Sequence, residues 1–474
     1  MMQSRTGNGW KLKIASFCAL ILTSALAQAQ TYTTSGAQIL KDGVPIQLRG
    51  ANGLHEYGVG SSDMNAWKID VVRETIHNFQ NHPITGNAVQ VSGVWKHSLQ
   101  NIVNDNRANG KVTIFCPFSW DARETQDNFF LGKNPSSSPW WNDYKTRYQA
   151  IANQFKNQSD VWFDVWNEPY HWDAGDPRGY SETLWLSDMR AMVDNIRATG
   201  AQNIILIPGS RMGQGEEVVV NQGRNLLSGR ANLVFAPHAY EGWLLNSQSQ
   251  IETRIAAMQN LGLPVFFGEY GAKNNDTMDV APFLAALRAR KVGGAAWIWK
   301  TLPKVNGVEQ FPETERGALL RADGVTPNDV NNYQYGTKVK GFCSEARVTE
   351  LVKNGNFSSG LTNWALFTAN TGVVESGVLK LGTGSAGGGV SQNLTPKAST
   401  THVLSAKGRV GVAGEKISIT VKGDGFQHAL DFGTTTLTAK NLTFTTPATA
   451  TWFQVQVWKG TGSFGYADDI SVTR

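Results

Sequence analysis

The sequence predicts two folded domains, a (β/α)8 TIM barrel over residues 31–342 and an all-β sandwich or jelly roll over residues 350–474. Strand-like apolar runs alternate with helical patterns about eight times over about 300 residues, which favours a closed barrel over an open doubly wound sheet. After Cys343 the composition shifts to Gly, Thr, Ser and Val in short alternating runs, which are typical of antiparallel strands. The 474 residues are too many for one ordinary domain, and residues 343–349 are the predicted linker.

The N-terminal segment has the pattern of a cleavable secretory signal. Three basic residues precede an apolar stretch over residues 14–26, and a tripeptide with small outer residues ends at Ala29. We therefore exclude residues 1–29 from the fold and expect a secreted protein, extracellular or periplasmic. No other apolar run approaches the length that crosses a bilayer, so a membrane partner is not expected.

Charge and composition narrow the classes of partner. Removing the three basic residues of the signal from the 43 of the full chain leaves 40 against 38 acidic residues, and no basic run remains, which argues against nucleic acid. The chain has 16 Trp, and exposed aromatic rings need an apolar or sugar-like partner. Two cysteines, Cys116 and Cys343, make no disulfide framework, and either a bond or two thiols fits the sequence. We expect a monomer.

The barrel strands are predicted from short apolar runs bounded by turn residues. A hairpin around Asp42-Gly43 precedes the first strand, and residues 68–79 show a helical pattern between the first and second strands. The eight strands are predicted near residues 44–50, 88–91, 112–115, 161–165, 203–207, 232–235, 264–267 and 294–298, and the clearest helices near 98–107, 141–155, 181–199 and 328–339.

Polar and aromatic residues follow the carboxyl ends of these strands, where TIM barrels carry their active sites. Glu168 ends the apolar strand that begins at Val161. Pro169 follows directly and has no backbone N–H to donate to a neighbouring strand. An ionised Glu at an apolar strand end is costly unless it is paired or used, so Glu168 is a candidate functional group, with a salt bridge at a loop start as the alternative. Glu269 ends a strand on the opposite side of the barrel mouth, so the two carboxyls can face each other. Other polar strand-end residues are Asn52, His55, Gln90, Ser92, Asn167, Arg211, His238, Tyr240 and Lys300.

Two facing carboxyls suit retaining glycoside hydrolysis. One carboxyl protonates the leaving oxygen, and the other attacks the anomeric carbon from the opposite face at a separation of about 5 Å. In this arrangement Glu168 is the acid/base and Glu269 is the nucleophile.

Four motifs stand at strand ends, namely Asn167-Glu168-Pro169, His238-X-Tyr240, Gly268-Glu269-Tyr270-Gly271 and Trp297. In combination they resemble glycoside hydrolase family 5, a cellulase-type family of the large retaining barrel clan, over about residues 31–342. The resemblance implies an endo-acting enzyme for a β-1,4-linked, plant-type polysaccharide, with β-1,4-glucan as the first choice. It also implies that Asn167 bonds the substrate 2-hydroxyl, that His238 and Tyr240 orient the two carboxyls, and that Trp297 forms a stacking floor.

Two positions depart from the family's pattern. The family usually has an Arg on strand two near the nucleophile, where the predicted strand has Gln90, and a His after strand three, where residues 118–120 contain none. Because a neighbouring cation helps to keep a carboxylate ionised, a cation from elsewhere is expected. Arg211 and Arg123 are candidates on position, with a surface cation over a loop as the alternative.

Aromatic residues in the strand-end loops are candidates for stacking on pyranose rings. His55 could line the same cleft or be a satisfied structural imidazole. No His-X-X-X-His pair and no Cys cluster supports a metal, so neither a metal nor another cofactor is expected. The stacking candidates are Trp120, Trp172, Trp243 and Trp299.

The C-terminal domain resembles carbohydrate-binding modules of the family 4 and 9 type. The resemblance rests on the opening Asn354-Gly355-Asn356-Phe357, on residues 360–364 and on the closing residues 467–472. Modules of this type often hold a structural calcium there, but Asn356 and Ser358 stand where acidic ligands would help. The candidate sugar contacts, at least half of which are expected to fill the core, are Trp364, Phe367, Trp452 and Trp458.

Two alternatives remain open. A β-1,4-mannanase would use the same two carboxylates and would differ in how the cleft treats the 2-hydroxyl. A barrel that only binds polysaccharide would explain the absent Arg and His, but such a protein would not need Glu168 and Glu269 together.

Overall fold

The computed structural model describes residues 31–55, 59–87, 89–91, 94–121, 129–173, 179–272, 278–300, 317–321, 323–329, 333–367, 371–382 and 387–474. Over these residues the chain forms a parallel barrel wrapped in helices, followed by two antiparallel sheets. The predicted fold class is therefore confirmed for both parts of the chain.

The first part of the chain alternates strands and helices. Its strands are β1 (Tyr32–Ser35), β2 (Gln38–Lys41), β3 (Val44–Pro45), β4 (Arg49–Gly53), β5 (Val71–Ile76), β6 (Val89–Val91), β7 (Val94–Lys96), β8 (Val112–Pro117), β9 (Val161–Asp164), β10 (Ile205–Pro208), β11 (Leu233–Ala236), β12 (His238–Ala239), β13 (Phe266–Tyr270) and β14 (Gly293–Ala296). Its α-helices are α1 (Leu99–Ala108), α2 (Trp141–Phe155), α3 (Glu182–Arg197), α4 (Glu217–Leu227), α5 (Glu241–Leu244), α6 (Gln248–Gln259), α7 (Ala281–Arg290) and α8 (Tyr335–Ser344), with 3-10 turns at Ser61–Trp67 and Pro135–Ser137.

The barrel closes through its sixth strand, which is split in two. The hydrogen-bonded order is β11-β10-β9-β8-β5-β4-β14-β13-β12, and all of these pairings are parallel. β11 and β12 follow each other across Pro237, which cannot donate to a ladder. Phe235 at the end of β11 also bridges to Val265, just before β13, so β11 and β12 together fill one of eight positions in the ring.

Side chains inside the barrel change from apolar at the base to polar at the mouth. Val71, Ile114, Trp162 and Phe266 belong to one buried apolar cluster at the base. Because side chains alternate along a strand, the interior positions two residues further on carry polar groups instead. On three adjacent strands these are Arg73, Cys116 and Asp164.

The N-terminal hairpin, β1 to β3, closes the base of the barrel. It turns at Asp42-Gly43, as the sequence predicts, with Gly43 at φ +80°. Tyr32 and Ile39 belong to the interior cluster, and the Tyr32 ring meets Trp162 edge-on at 5.7 Å. The hairpin therefore covers this end of the barrel interior.

The prediction for strand two is wrong. Residues 71–76 form the second barrel strand, β5, where a helix was expected, and β5 pairs in parallel with β4 and β8. Residues 89–91 form β6, which among the described strands pairs with β7 in a separate two-stranded hairpin. Gln90 is thus placed in the loop after strand two, and Arg73 takes the interior position on the strand itself.

The C-terminal part is a β-sandwich of two five-stranded antiparallel sheets around a common apolar core. The sheet orders are β15-β18-β23-β20-β21 and β16-β17-β24-β19-β22. The strands are β15 (Ala365–Leu366), β16 (Gly372–Glu375), β17 (Val378–Leu381), β18 (Gly388–Leu394), β19 (Thr401–Val410), β20 (Ile417–Gly423), β21 (Phe426–Phe432), β22 (Thr438–Thr445), β23 (Phe453–Lys459) and β24 (Gly465–Thr473).

The segment between the two parts is bound to the barrel by ion pairs. α8 extends to Ser344, two residues into the predicted linker. Glu345 then pairs with Arg49 at 3.1 Å and with Arg288 at 2.6 Å, and Arg347 pairs with Asp70 at 2.7 Å. This segment is therefore held against the barrel.

The described helices include none that is long and apolar enough to span a bilayer. Both cysteines of the described chain are buried thiols, Cys116 in the barrel interior and Cys343 on α8.

Candidate active site

The two predicted carboxyls meet at the mouth of the barrel. Glu269 is buried within β13, and Glu168 follows β9 with a side chain that is 15% exposed. One oxygen of each carboxyl and a ring nitrogen of His238 lie within 4.8 Å of one another. The predicted face-to-face arrangement of Glu168 and Glu269 is thus present in the folded chain.

Arg73 is completely buried at the centre of this site. A guanidinium has five N–H donors and no acceptor, so a buried one needs several partners. The partners of Arg73 are Glu269 Oε1 (2.7 Å) and Asn52 Oδ1 (2.9 Å) for Nη1, Asn167 Oδ1 (2.9 Å) and Cys116 Sγ (2.9 Å) for Nη2, and Asp164 Oδ2 (2.9 Å) for Nε.

Arg73 is the cation that the sequence reading missed. The expectation that the strand-two Arg is absent is therefore wrong. Arg211, one proposed substitute, is about half exposed and lies 3.5 Å from Glu217. Arg123, the other, falls outside the described residues. The available signal was a lone Arg within Val71–Ile76, which becomes informative once that run is read as a strand.

Glu269 is held as an anion by contacts to both of its oxygens. Burial works to raise its pKa, but the electrostatic effects of His238 and Arg73 and the hydrogen bonds from Tyr240 and Arg73 outweigh burial, so the pKa lies below its usual value. The Tyr240 hydroxyl donates to Oε2 at 2.6 Å, while Arg73 donates to Oε1. A buried carboxylate with a depressed pKa is suited to act as a nucleophile.

Glu168 is tied to the same network through His238. The Nδ1 atom of His238 lies 2.8 Å from Glu168 Oε1, and its Nε2 atom lies 3.4 Å from Arg73 Nη2. Because a guanidinium can only donate, Nε2 is the acceptor, and the ring proton sits on Nδ1 and points to Glu168. Glu168 also has φ +48°, a left-handed conformation that turns its side chain out of the strand direction.

Two glycines make room for His238. A Cβ on Gly213, which has φ +81°, would lie 2.9 Å from His238 Cγ, and a Cβ on Gly268 would lie 2.9 Å from Nε2. The imidazole is thus clamped between the loop after β10 and strand β13.

The donor set of Glu168, His238 and Glu269 is of a type that binds divalent cations. Its atoms are already committed, because Arg73 and Tyr240 bond both oxygens of Glu269 and the Nδ1 proton of His238 points to Glu168. The arrangement fits proton transfer and nucleophilic attack better than metal binding.

Trp297 follows β14 and packs beside the site. Its ring stacks on Phe118 with centroids 6.0 Å apart and planes at 16°, and it is 3% exposed. In the described part of the chain its Nε1 has no hydrogen-bond partner. Phe118 is the first of residues 118–120, which follow strand three and contain no His, and the His77 ring lies against it with centroids 5.0 Å apart.

Of the four Trp residues predicted to stack on sugar rings, one is exposed and three are buried. Trp172, after β9, is 48% exposed, so its ring remains available. Trp243 and Trp299 are buried, the first with Arg254 stacked 3.7 Å from its ring centre and the second edge-on to Trp67. Trp120 is also buried, with its ring stacked on Trp140 at 5.1 Å. These three indoles fill the core, which corrects the expectation that they present rings at the rim.

Each ring nitrogen of His55 lies within ion-pair distance of a carboxylate. Nδ1 lies 2.7 Å from Glu74 Oε1 and Nε2 lies 2.8 Å from Asp105 Oδ2. Burial acts to lower its pKa, but the two carboxylates outweigh burial and raise the pKa to about 9. The structural alternative for His55 is therefore the one that the geometry favours.

A parallel barrel that presents two facing carboxyls at its mouth is an arrangement found among glycoside hydrolases. The chain belongs to the cellulase family, glycosyl hydrolase family 5, because the model of that family matches residues 41–302. The chain is therefore a glycoside hydrolase, as the motifs predict.

Individual relatives are distant. The chain is 21% identical to a mannan endo-1,4-beta-mannosidase of Cellvibrio japonicus over 337 residues, which span 68% of this chain and 71% of that protein. It is 26% identical to endoglucanase 1 of a Robillarda species over 166 residues, which span 31% of this chain and 41% of that protein. Among solved structures, a beta-mannanase from Thermomonospora fusca has a similar fold, with a TM-score of 0.50 and 18% identity over 67% of this chain and 98% of that one.

Proposed function

We propose that this glycoside hydrolase is a retaining endo-enzyme that cleaves β-1,4-linked polysaccharide with Glu269 as nucleophile and Glu168 as acid/base. The observation that carries the proposal is the short distance between the carboxyls, which have oxygens within 4.8 Å of each other. Retaining enzymes place their carboxyls about 5 Å apart, whereas inverting enzymes leave about 6.5–9.5 Å for a water molecule.

In the first step, one oxygen of Glu269 attacks the anomeric carbon while protonated Glu168 gives its proton to the glycosidic oxygen. The bond from the anomeric carbon to that oxygen breaks, the aglycone leaves as an alcohol, and the sugar becomes an ester of Glu269. Arg73 and Tyr240 fix the attacking carboxylate in place beforehand.

In the second step, Glu168 acts as the base. It takes a proton from water, the hydroxide oxygen bonds to the anomeric carbon, and the ester bond to Glu269 breaks with retention of configuration. The Nδ1 proton of His238 supports this step, because it stabilises the carboxylate form of Glu168 between the two transfers.

The backbone sugar is the finer part of the proposal. The sequence favours glucan, whereas the relative that matches the larger part of the chain is named as a mannosidase acting on mannan and the shorter match is an endoglucanase. Glucan and mannan differ in the orientation of the C2 hydroxyl, the group that we assign to Asn167. Asn167 is held by Arg73 at 2.9 Å, so its amide presents a fixed orientation to either sugar.

The test is product release from soluble glucan, mixed-linkage glucan, glucomannan, galactomannan and xylan, with the anomeric configuration followed by NMR. We expect cleavage within the chain, with retention, on a β-1,4-linked backbone. Inversion would remove the assignment of Glu269 as nucleophile. Binding without release from any substrate would support the non-catalytic alternative.

We further propose that the sandwich binds sugar on the outer face of the sheet that contains β18 and β23. Trp458 and Phe367 are 46% and 43% exposed, and their ring centres lie 6.1 Å apart. Both rings lean over Gly389, where a Cβ would lie 2.5 Å from Phe367 and 2.7 Å from Trp458. The pair offers an apolar platform of the kind that stacks on pyranose rings.

Neutral amides continue this face away from the rings. Gln454 and Gln456 precede Trp458 at alternate positions of β23, and Gln454 Nε2 donates to Asn393 Oδ1 at 2.8 Å. A cavity of about 320 Å³, lined in part by Asn393 and Asn363, lies at the far end. Amides that both donate and accept suit the hydroxyls of a neutral sugar.

The exposed side of the other sheet has a different chemistry. Lys407 pairs with Asp469 at 2.7 Å, and Arg409 lies 3.5 Å from the ring centre of Tyr466. Among the other candidates of the sequence, Trp364 is buried against Phe357, whereas Trp452 is 43% exposed.

Adsorption of Trp458→Ala to insoluble polysaccharide tests this second proposal. We expect a loss of about tenfold in affinity, equivalent to about 1.4 kcal/mol, with unchanged activity on soluble substrate. Phe464→Ala, directly before β24 of the other sheet, is the matched control, since Phe464 is 36% exposed. Deletion of residues 346–474 sets the maximal loss, and unchanged adsorption of the deletion would leave the sandwich with a structural role.

We also propose that the protein is secreted, because the N-terminal pattern is that of a signal peptide. N-terminal sequencing of protein recovered from the medium or periplasm is expected to start near residue 30. Retention in the cell with an intact N-terminus would contradict secretion.

A further inference from the structure

Asp164 is a buried carboxyl directly below the proposed catalytic pair. It ends β9, three residues before Asn167, and it is 1% exposed. Its Oδ2 accepts from Arg73 Nε at 2.9 Å, and its Oδ1 accepts from the backbone N–H of Trp166 at 3.5 Å. A carboxyl whose two oxygens both accept, one of them from a cation, has the contacts of an ionised group.

The single positive charge of Arg73 is therefore shared between two carboxylates, Asp164 and Glu269. Its Nε donates a hydrogen bond to Asp164. Its Nη1, on another part of the same planar group, donates to Glu269 Oε1 at 2.7 Å. Fixing the Nε edge also fixes the plane of the guanidinium, and so the direction of the Nη1 bond to Glu269.

We propose that Asp164 is a positioning residue for the proposed nucleophile. It locks the plane of Arg73 and neutralises part of its charge, so that Glu269 is oriented by Arg73 without being stabilised as an anion so strongly that it becomes a poor nucleophile. The inference rests on the proposed function of Glu269.

Other titratable groups surround Asp164 and Glu269 and act on their pKa values. Burial raises the pKa of Asp164 and outweighs the opposing effects of Arg73, His238 and the hydrogen bonds from Arg73 and Trp166. The pKa of Glu269, in contrast, is lowered. The groups that face the two carboxyls from neighbouring elements are Arg73 on β5, the Cys116 thiol on β8, Tyr148 on α2, His238 on β12, and Tyr240 and Glu168 at the mouth.

A negative charge close to Glu269 makes that carboxyl harder to ionise. Replacing Asp164 by the isosteric Asn removes this charge and keeps an oxygen that accepts from Arg73 Nε. The full charge of Arg73 then acts on Glu269, and the pKa of the nucleophile falls by about one unit or more.

The experiment is covalent trapping of Glu269 by a 2-fluoro glycoside with a dinitrophenolate leaving group, followed across pH. Such a leaving group needs no general acid, so the acidic limb of the rate reports the nucleophile alone. For Asp164→Asn we expect that limb to move to lower pH by about one unit, with a fall in kcat and little change in KM, because Asp164 touches no substrate.

Glu74→Gln is the matched control. Glu74 is the neighbour of Arg73 on β5, is equally buried at 1% exposed, and faces His55 outside the barrel. Its replacement removes the same charge and is expected to leave the acidic limb unchanged.

Three results would overturn the inference for Asp164→Asn: an unchanged limb, the same shift in Glu74→Gln, or a limb at higher pH, which would mean that Asp164 only holds Arg73 in place. If Asp164→Asn does not fold, Asp164→Ser provides the neutral variant, and Asp164→Glu, which keeps the charge, is expected to retain the wild-type limb. Trapping of a residue other than Glu269 would instead remove the proposed function.

Discussion

Removing one hydroxyl, in Tyr240→Phe, tests how the site controls its nucleophile. The Tyr240 hydroxyl donates to Glu269 Oε2 at 2.6 Å inside the buried site, and among the described residues it makes one of two direct hydrogen bonds to that carboxylate. Phe keeps the ring and its packing, so the change is confined to one charge-assisted hydrogen bond.

A hydrogen bond to a charged group contributes about 1.5–3 kcal/mol. The bond favours the ionised form of Glu269, so its loss raises the pKa of this carboxyl, by about 1–2 units at 1.36 kcal/mol per unit. As the pH is lowered, Glu269 then becomes protonated, and activity is lost, at a higher pH than in the wild type. The acidic limb of kcat/KM is therefore expected to move upward.

The assay is the pH dependence of kcat/KM on a soluble substrate, with Tyr148→Phe as control. Tyr148 is also buried, but its hydroxyl donates to the backbone oxygen of Asp164 at 2.6 Å and not to a carboxylate. The control is expected to lose stability, by about 1 kcal/mol, and to keep the wild-type limb. An unmoved or lowered limb in Tyr240→Phe would refute the assignment of the hydroxyl to Glu269.

Glu168→Ala and Glu269→Ala are each expected to abolish turnover while the protein remains folded, and near-normal activity in either would remove the proposed mechanism. Azide separates the two, because it should rescue Glu168→Ala to a product of retained configuration and Glu269→Ala to one of inverted configuration. The pKa of His55 is raised from 6.5 to about 9, so its stabilising contribution is full below pH 6.5 and is lost as pH rises through 9. The difference in melting temperature between wild type and His55→Gln should shrink over that interval, and a constant difference would contradict this account.

Strand two shows how local periodicity misled the sequence reading. Ile69, Val72, Ile76 and Phe79 recur at helical spacing, and all four are buried. In the barrel, however, Val71 to Ile76 is buried on both faces, so its polar residues do not mark a solvent face. Arg73 is accommodated in the interior because four strands, β4, β8, β9 and β13, supply acceptors there, and no local pattern can show those acceptors.

The aromatic residues show the same limit. Trp172 and Trp243 both follow strand ends in the sequence, yet the first is 48% exposed and the second is buried beneath Arg254. Exposure depends on what the rest of the chain packs over each ring, and that packing is set by contacts distant in sequence.

The sequence by itself determined the barrel, the sandwich and the two facing carboxyls, because strand periodicity and strand ends are local properties and a parallel barrel gathers its strand ends at one mouth. Only the tertiary structure decided which cation serves Glu269, that Asp164 shares this cation, and that His55 is already paired. A buried charge is stable only when it is paired and hydrogen-bonded. The partners of Arg73 come from segments that are separated in the chain and are brought together by the closed barrel.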